Sequence, residues 1–323
     1  MLPEEHLPLE LIARQQDLLG ADAMAAWRRR LVESAPSTVF RVNTLQASVL
    51  SVLGGLRAAG LTPEPLSFRD DCFAVPASQR RALTESAPAA AGEVYIQNPS
   101  SMLAPMYLDP RPGEEVLDLA AAPGGKTLVM AVAMDNRGRL AAVERSRPRF
   151  FKLRANCAAQ GATCVVPYLK DGARVGRLTP ERFDRVLLDA PCSAEARIRA
   201  DEPETYADWG MKRIKRLARL QARLLDSAIR ALRPGGRLVY ATCTYAPEEN
   251  EAVIDAALVR WDGVLDVVPP PFEPPVTALP GITSWRGRTY RQGVNHARRI
   301  VGEGVWEGFF LAVLEKRRAR DDG

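Results

Sequence analysis

The sequence lacks the features that mark membrane, secreted and zinc-binding proteins. It has no run of ~18 uncharged apolar residues, so it predicts no transmembrane helix. Its first residues are acidic and do not form a signal-peptide pattern. The five cysteines form no close metal-type pair, which argues against both a disulfide framework and a metal site. Together these absences make the cytoplasm the default location.

The composition is that of a globular protein, with 46% apolar and 26% charged residues. A length of 323 residues suits one large domain or two of ordinary size. The net charge is only +5, but Arg and Lys cluster at residues 137–154, 212–223 and 286–299. Such clusters either form solvated helix faces or bind a polyanion. On a cofactor-binding fold they make nucleic acid the partner to test.

Residues 115–127 are the stretch around which the rest of the chain is arranged. An apolar run at 116–119 predicts a buried strand, small residues and two glycines follow, and a helical pattern covers 127–134. A strand, a small-residue turn and a helix N-terminus form the usual cradle for a nucleotide-like cofactor. The candidate cofactor-binding residues of this turn are Ala120, Ala121, Ala122, Pro123, Gly124, Gly125 and Lys126.

From this stretch onward, strand-like and helix-like segments alternate, which predicts an α/β fold with a parallel sheet covered on both faces. The strand-like runs lie at 116–119, 140–143, 164–166, 185–188 and 237–241, and the helix-like segments at 127–134, 147–160 and 214–232. Residues 233–236 predict a turn, and the proline-rich segment after Val268 predicts a surface loop. A last apolar run, at 307–314, predicts a strand at the edge of the main sheet.

The chain before residue 95 has shorter elements. Two helices ended by Pro36 come first, and a short alternation of strands and helices then indicates a small α/β domain. The predicted sections are N-terminal helices at 1–36, a small α/β domain at 37–94, a main domain at 95–316 and a basic tail at 317–323.

The glycine pattern excludes two common phosphate-binding motifs. A P-loop requires glycine where Ala120 stands, and the dinucleotide fingerprint requires spaced glycines, whereas Gly124 and Gly125 are adjacent. S-adenosylmethionine remains as the cofactor that suits the stretch. Its carboxylate can meet the loop amides and Lys126, because a helix N-terminus favours an anionic group.

Acids at the ends of the next strands support this cofactor. Glu144 directly follows the second strand and can accept from both ribose hydroxyls, and Asp171 follows the third strand, where it can bond the adenine amino group. A single acid is more often a surface residue. Several acids at the carboxyl ends of parallel strands are harder to dismiss, because ligands bind at that edge.

Two cysteine motifs follow the fourth and fifth strands. Residues 189–193 contain Asp189 and Cys192, and residues 242–245 contain Cys243. Both cysteines lie at the ligand-binding edge of adjacent strands, so both can face one cofactor pocket. A structural disulfide is the competing interpretation, which a reducing cytoplasm disfavours. The other cysteines, Cys72, Cys157 and Cys164, are interpreted as small buried hydrophobes.

The motifs at 118–127, 189–192 and 242–244 resemble those of the Sun-family RNA cytosine carbon-5 methyltransferases. The resemblance extends from about residue 40 to residue 314 and includes residues 41–43, residues 95–102 and Asn250. It implies a seven-stranded, doubly wound, Rossmann-like class I methyltransferase domain with a small RRM-like N-terminal domain that helps to bind RNA. It also implies S-adenosylmethionine as the cofactor, ribosomal or transfer RNA as the partner, and a monomer.

The resemblance assigns roles to three residues. Cys243 is the nucleophile that adds to carbon 6 of cytosine, Cys192 assists release of the product, and Asp189 holds the ring nitrogen and the amino group. A DNA cytosine methyltransferase would instead use Cys192 as the nucleophile. A non-catalytic RNA-binding or ribosome-assembly protein on the same fold is the alternative from another class.

Two further features complete the prediction. The family usually has glycine where Ala194 stands, so the added methyl group is expected to restrict the loop next to Cys192. His296 lies in the basic stretch 294–299, which is interpreted as an RNA-facing loop and not as part of the catalytic site.

Overall fold

The computed structural model describes residues 5–33 and 37–319. The predicted break at Pro36 and the end of the predicted basic tail, residues 320–323, lie outside the described residues. The helices are α1 (Leu9–Leu18), α2 (Ala21–Val32), α3 (Val49–Ala58), α4 (Arg80–Thr84), α5 (Ala87–Ala90), α6 (Pro99–Leu108), α7 (Gly125–Ala133), α8 (Arg147–Ala159), α9 (Val175–Leu178), α10 (Met211–Ala231) and α11 (Glu251–Arg260). The strands are β1 (Ser37–Val42), β2 (Glu64–Pro65), β3 (Cys72–Pro76), β4 (Val94–Ile96), β5 (Glu115–Asp118), β6 (Arg139–Glu144), β7 (Val165–Leu169), β8 (Phe183–Asp189), β9 (Leu232–Thr242), β10 (Leu265–Val268), β11 (Ala278–Pro280), β12 (Ser284–Trp285), β13 (Arg288–Thr289), β14 (Arg298–Ile300) and β15 (Phe309–Lys316).

The main sheet has a parallel centre in the order β7-β6-β5-β8-β9, and β15 joins β9 in the antiparallel direction. Helices α10 and α11 cover one face of the sheet, and α6, α7 and α8 cover the other. Val116 and Leu117 on β5 are both fully buried, as expected for a central strand with helices on both faces. The predicted doubly wound α/β fold is confirmed. With β10, these strands make up the seven that were expected.

Two short strands extend this sheet beyond the expected seven. β14 pairs with β15, and β11 pairs with β14, both antiparallel. The prediction that the last apolar run lies at the sheet edge is therefore wrong, because β15 has β9 on one side and β10 and β14 on the other. The prolines after Val268 predict a surface loop, but this segment contains β11 and β14, which extend the sheet beyond β15.

The turn predicted at residues 233–236 is a bulge within β9. Leu232 pairs with Phe183 and Arg237 pairs with Arg185, so four residues on β9 stand opposite one on β8. The strand therefore resumes its register at Arg237 and runs on to Thr242 at the carboxyl edge of the sheet. This register carries the segment after Thr242 to the same edge as the end of β8.

The small sheet is antiparallel, in the order β2-β3-β1-β4. Its core includes Phe40, Val52 and Leu56 from β1 and α3. Asn43 joins it to the main domain, because its Nδ2 donates to the carbonyl oxygens of Gly92 at 3.0 Å and Gln160 at 2.8 Å.

The N-terminal helices pack on the main domain, beside the segments that carry the two cysteine motifs. Leu11 of α1 and Trp27 of α2 share a buried cluster with Ile198 and Tyr245. Arg14 of α1 is almost fully buried and donates to both carboxylate oxygens of Glu248, at 2.5 and 3.1 Å. These helices therefore support the carboxyl edge of the main sheet from one side.

Candidate active site

A cavity of about 600 Å³ lies at the carboxyl ends of the parallel strands. The loop after β5 forms its floor, and the ends of β6 and β8 form its sides. The structure brings together at this cavity the chemistry-bearing residues named from the sequence, which are Lys126, Glu144, Asp171, Asp189, Cys192 and Cys243. The predicted placement along one sheet edge accounts for this convergence.

The loop between β5 and α7 turns sharply at Gly124, whose φ of 112° favours glycine. A Cβ at Gly124 would lie 3.1 Å from the Leu153 side chain, so this glycine allows α8 to pack closely. Gly124 does not itself line the cavity, whereas the other residues of the predicted turn do. A Cβ at Gly125 would lie 3.3 Å from Tyr95 and would narrow the cradle.

Asp118, at the end of β5, is a cavity-lining residue that the sequence analysis did not assign. Thr127 donates to its Oδ2 at 2.7 Å, while its buried Oδ1 has no partner within the part of the chain that the structure describes. Burial raises the pKa of Asp118 to about 7. An acceptor without a partner at the cradle suits the amino group of an amino-acid-like cofactor.

Glu144 and Asp171 take positions that suit a nucleoside. Glu144 is 3% exposed, and its Oε1 accepts from the Ser146 amide at 2.7 Å. Asp171 accepts from the Ala173 amide at 3.2 Å through Oδ1. Leu220 of α10 forms an apolar wall of the same cavity. Carboxylates can accept hydrogen bonds from the ribose hydroxyls and the adenine amino group of S-adenosylmethionine, and an apolar wall suits the adenine ring.

The two cysteine motifs place their sulfur atoms in contact. Cys192 Sγ lies 3.3 Å from Cys243 Sγ, and the backbone amide of Cys243 donates to Cys192 Sγ at 3.3 Å. A disulfide would require about 2.05 Å, so the two residues are free thiols in this structure. Both side chains line the cavity.

The environment shifts the two thiol pKa values in opposite directions. The hydrogen bond from Cys192 lowers the pKa of Cys243, and the positive charge of Arg197 adds to this effect against the opposing cost of burial. The same hydrogen bond, together with burial, raises the pKa of Cys192. Of the two thiols, Cys243 is therefore the one on which negative charge is favoured.

Lys126 lies between the cofactor loop and the cysteine motifs. Its Nζ donates to Asp189 Oδ2 at 2.7 Å. The sequence pattern predicts that Lys126 meets a cofactor carboxylate, and in the structure its charge lies against Asp189. The ion pair engages Asp189 Oδ2, and Asp189 lines the cavity together with both cysteines.

Two consecutive residues hold the two cysteine loops. Glu249 accepts from the Ser193 amide, at 3.0 Å through one oxygen, and from Gln221 Nε2 at 2.7 Å. Asn250 accepts from Thr242 Oγ1 at 2.6 Å and donates to the carbonyl oxygen of Thr244 at 2.9 Å. We call this pair the Glu249–Asn250 clamp.

The two halves of the clamp are connected. Gln221 Nε2 also donates to the Pro191 carbonyl oxygen at 2.9 Å, and Ser193 Oγ lies 2.7 Å from Thr244 Oγ1. The sequence analysis named only Asn250. The only sequence signal for Glu249 is its position next to Asn250, because its partners Gln221 and Ser193 are distant from it in the chain.

Ala194 adopts the left-handed conformation, with φ of 61° and ψ of 34°. This backbone conformation is the one that glycine supplies without strain, which explains the expected preference for glycine at this position. Ala194 also lines the cavity next to Cys192. The methyl group therefore stands in the loop where the acceptor would enter.

The interpretation of residues 294–299 as an RNA-facing basic loop is wrong in its basic part. Arg299 is buried and forms an ion pair with the buried Glu251, and Arg298 pairs with Glu273 at 2.5 Å. His296 Nδ1 lies 3.1 Å from the Val267 carbonyl oxygen. The charges of this stretch are thus used within the fold, because β14 carries both arginines into the sheet.

Two absences hold within residues 5–33 and 37–319. The helices there include none long and apolar enough to cross a membrane. That part of the chain also has no group of three or more His, Cys, Asp or Glu side chains that could hold a metal ion.

Fold and cavity together define an S-adenosylmethionine-dependent methyltransferase. Comparison with known proteins identifies the family, because the model of the 16S rRNA methyltransferase RsmB/F family matches residues 105–315. The chain belongs to this family, which confirms the resemblance seen in the motifs. S-adenosylmethionine is accordingly the cofactor whose parts the cradle, Glu144 and Asp171 would hold.

Individual relatives agree with this assignment. The tRNA (cytosine(49)-C(5))-methyltransferase of Pyrococcus abyssi is 40% identical over 70% of this chain and 71% of its own length. Ribosomal RNA small subunit methyltransferase F of Escherichia coli is 41% identical over 92% of this chain. The chain spans only 60% of that relative's length. A methyltransferase homolog from Pyrococcus horikoshii has a TM-score of 0.80 at 32% identity, covering 96% of both chains.

Proposed function

We propose that this protein methylates carbon 5 of a cytosine in ribosomal or transfer RNA through a covalent Cys243–cytosine adduct. The observation that carries the proposal is the pair of sulfur atoms 3.3 Å apart at the cofactor cavity, with negative charge favoured on Cys243. Carbon 5 of cytosine is a weak nucleophile, so the reaction needs a group that activates the ring. A thiolate beside the methyl donor meets that need.

The first step is addition of the Cys243 thiolate to carbon 6. The new S–C6 bond moves the electrons of the C5=C6 double bond onto carbon 5, which becomes nucleophilic. Asp189 is proposed to hold the ring nitrogen and amino group, with Lys126 fixing its position at 2.7 Å. S-adenosylmethionine, when bound, supplies the methyl group that carbon 5 takes up.

The second step restores the aromatic ring. Carbon 5 loses its proton to a water molecule, the C5=C6 double bond re-forms, and the S–C6 bond breaks with its electrons returning to Cys243. The Cys192 thiol, 3.3 Å away, stabilises the leaving thiolate with a hydrogen bond. Cys192 is thus proposed to assist product release.

The proposed target is a cytosine outside a regular duplex. The base has to leave its stack to reach sulfur atoms inside a cavity. Single-stranded or distorted RNA exposes a base at lower cost than a regular A-form helix does. The relatives leave the RNA class open, since one acts on transfer RNA and the other on ribosomal RNA according to their names.

The proposal also covers the division of labour along the chain. Residues 95–316 form the proposed catalytic domain and residues 37–94 the proposed RNA-binding domain, preceded by the helices of 1–36 and followed by the tail of 317–323. A monomeric protein that acts in the cytoplasm completes the proposal.

Trapping with RNA that contains 5-fluorocytosine tests the chemistry, because fluorine at carbon 5 blocks the second step. The protein with S-adenosylmethionine should form a complex that survives denaturing electrophoresis, and the Cys243→Ser variant should form none. An adduct retained in Cys243→Ser and lost in Cys192→Ser would indicate the order of a DNA cytosine methyltransferase. The absence of any adduct would contradict the proposal and favour a non-catalytic binding protein. Bisulfite sequencing of RNA from a deletion strain would then identify the nucleotide.

A further inference from the structure

The first two-thirds of α10 carries five exposed cations on one side of the helix. We call them the α10 cationic stripe, and they are Lys212, Lys215, Arg216, Arg219 and Arg223. Their spacing of three or four residues brings them together along the helix. No salt bridge joins any of the five to an acid within residues 5–33 and 37–319.

The stripe is unfavourable for the isolated helix in two ways. Cations three and four positions apart on a helix repel each other by roughly 0.2–0.5 kcal/mol per pair. Lys212 also lies in the first turn, which contains no acidic residue, and the helix dipole disfavours positive charge there. A bound anion would relieve both effects, whereas solvent alone relieves them only in part.

The position of α10 brings the charge of the stripe to the same edge of the sheet as the candidate active site. Helix α10 directly precedes β9 in the chain and is antiparallel to it. The N-terminal end of α10 therefore lies at the carboxyl edge of the sheet, where the cavity lies. Leu220 and Leu224 of the same helix line the cavity. Gln221, between them, donates to the Pro191 carbonyl oxygen at 2.9 Å, next to Cys192. The stripe lies on the exposed face of the same helix, on the side opposite Gln221, and its N-terminal end is at the carboxyl edge of the sheet.

We propose that the α10 cationic stripe binds the backbone phosphates of the RNA strand next to the target cytosine. This inference rests on the proposed function and adds where the RNA strand lies. From Lys212 to Arg223 the helix extends about 16 Å, at ~1.5 Å per residue. That length suits several consecutive nucleotides along one helix face.

The chemistry of the surface favours RNA over other partners. The centres of protein–protein interfaces combine Arg with aromatic or apolar anchors and are depleted in Lys, whereas the stripe has two Lys among its five cations and no aromatic residue. Membrane-surface helices expose an apolar face, whereas the apolar side of α10, including Ile214 and Leu225, is buried against the sheet. A polyanion is the remaining partner, and RNA is the polyanion that the active site requires.

The test compares two double variants with equal loss of charge. Lys215→Gln/Arg219→Gln removes two cations of the stripe. Arg111→Gln/Arg182→Gln removes two exposed cations at the opposite edge of the sheet, just before β5 and β8, where Arg182 Nε donates to Glu115 Oε2 at 3.2 Å. Binding of a fluorescein-labelled, single-stranded 20-nucleotide RNA is followed by anisotropy over a series of KCl concentrations. Thermal unfolding monitored by circular dichroism confirms that both variants fold.

The expected result is a smaller salt dependence for the stripe variant alone. Each lost phosphate contact in single-stranded RNA should lower the slope of log K against log salt by about 0.7, so two contacts should lower it by about 1.4. The KM for RNA should rise in parallel. The control variant should match the unchanged protein in slope and in adduct formation.

Equal slopes for the two variants would overturn the inference. Equal weakening of both would do so as well, because it would reduce the effect to net charge. Failure of the proposed function would look different: the stripe would still control the salt slope, but the unchanged protein would form no adduct with 5-fluorocytosine RNA.

Discussion

The loops that carry Cys192 and Cys243 follow adjacent parallel strands and meet at one cavity, yet they shift the pKa of the same kind of side chain in opposite directions. The loop after β9 exposes Cys243 to a hydrogen-bond donor and to nearby positive charge, which lowers its thiol pKa. In the loop after β8, the hydrogen bond to Cys243, together with burial, raises the thiol pKa of Cys192. The opposite pKa shifts thus favour the thiolate on Cys243, the proposed nucleophile, and the thiol on Cys192, the proposed helper. Residue type alone would not distinguish them.

The two loops also differ in how they are held. Asn250 holds the Cys243 loop through groups that do not titrate near neutral pH. Glu249 holds the Cys192 loop, and burial raises its pKa to about 7. One half of the Glu249–Asn250 clamp is therefore sensitive to pH and the other is not.

The largest expected effect separates the two cysteines outright. Cys243→Ala should reduce methyl transfer by at least about 10⁴-fold, the scale seen when an enzyme loses its nucleophile. Cys192→Ala should still perform the transfer within a single turnover, because it retains the thiol that bonds carbon 6. Single-turnover assays with radiolabelled S-adenosylmethionine measure both. A larger single-turnover loss in Cys192→Ala would reverse the assignment.

The next effect isolates product release. Cys192→Ala should turn over roughly 10²-fold more slowly, because the leaving thiolate has lost its hydrogen-bond donor. It should accumulate a covalent protein–RNA complex even when the RNA contains ordinary cytosine in place of 5-fluorocytosine. Cys192→Ser keeps a donor and should recover part of the turnover. Denaturing electrophoresis during steady-state turnover measures the complex. Clean multiple turnover by Cys192→Ala would remove the helper role.

A smaller effect concerns the pH dependence of stability. The pKa of Glu249 is about 7 in the folded protein and near 4.5 when it is exposed, so the folded state binds more protons between these values. Its contribution to the free energy of unfolding should therefore fall, by on the order of 1–3 kcal/mol, as pH rises from about 4.5 to about 7.

Glu249→Gln should flatten this part of the profile, measured by urea unfolding at several pH values. Asn250→Asp, a change of similar size in the other half of the clamp, serves as the comparison because it adds a titratable group where there was none. An unchanged slope in Glu249→Gln would show that Glu249 is not the titrating group.

The smallest effect lies beside Cys192. Ala194→Gly should raise the free energy of unfolding by up to about 1 kcal/mol, because glycine adopts the left-handed conformation without the strain that alanine carries. Differential scanning calorimetry measures the change, with Ala196→Gly as the control. Ala196 does not have a positive φ, so its replacement by glycine should lower the free energy of unfolding.

The cofactor half of the site was predictable from the sequence, because each of its residues follows a strand whose hydrophobic pattern is local. Glu144 and Asp171 line the cavity for that reason, and their contacts to ribose and adenine stay predictions. The clamp and the partner of Lys126 were not predictable, since these contacts join residues tens of positions apart. The placement of β15 was missed for the same reason, because strands formed by a proline-rich segment cover its outer side.

The packing of α1 has a practical consequence for the shortest chain that can be expected to work. Gln15 and Trp209 both bond Glu195, whose carboxylate also accepts from the Tyr245 amide at 3.2 Å. A chain begun at residue 37 would keep every group assigned to chemistry. It would nevertheless leave Glu195 and Glu248 without their α1 partners, directly beside the segments that carry both sulfur atoms. The first helix is therefore part of the minimal enzyme, although it contributes no atom to the reaction.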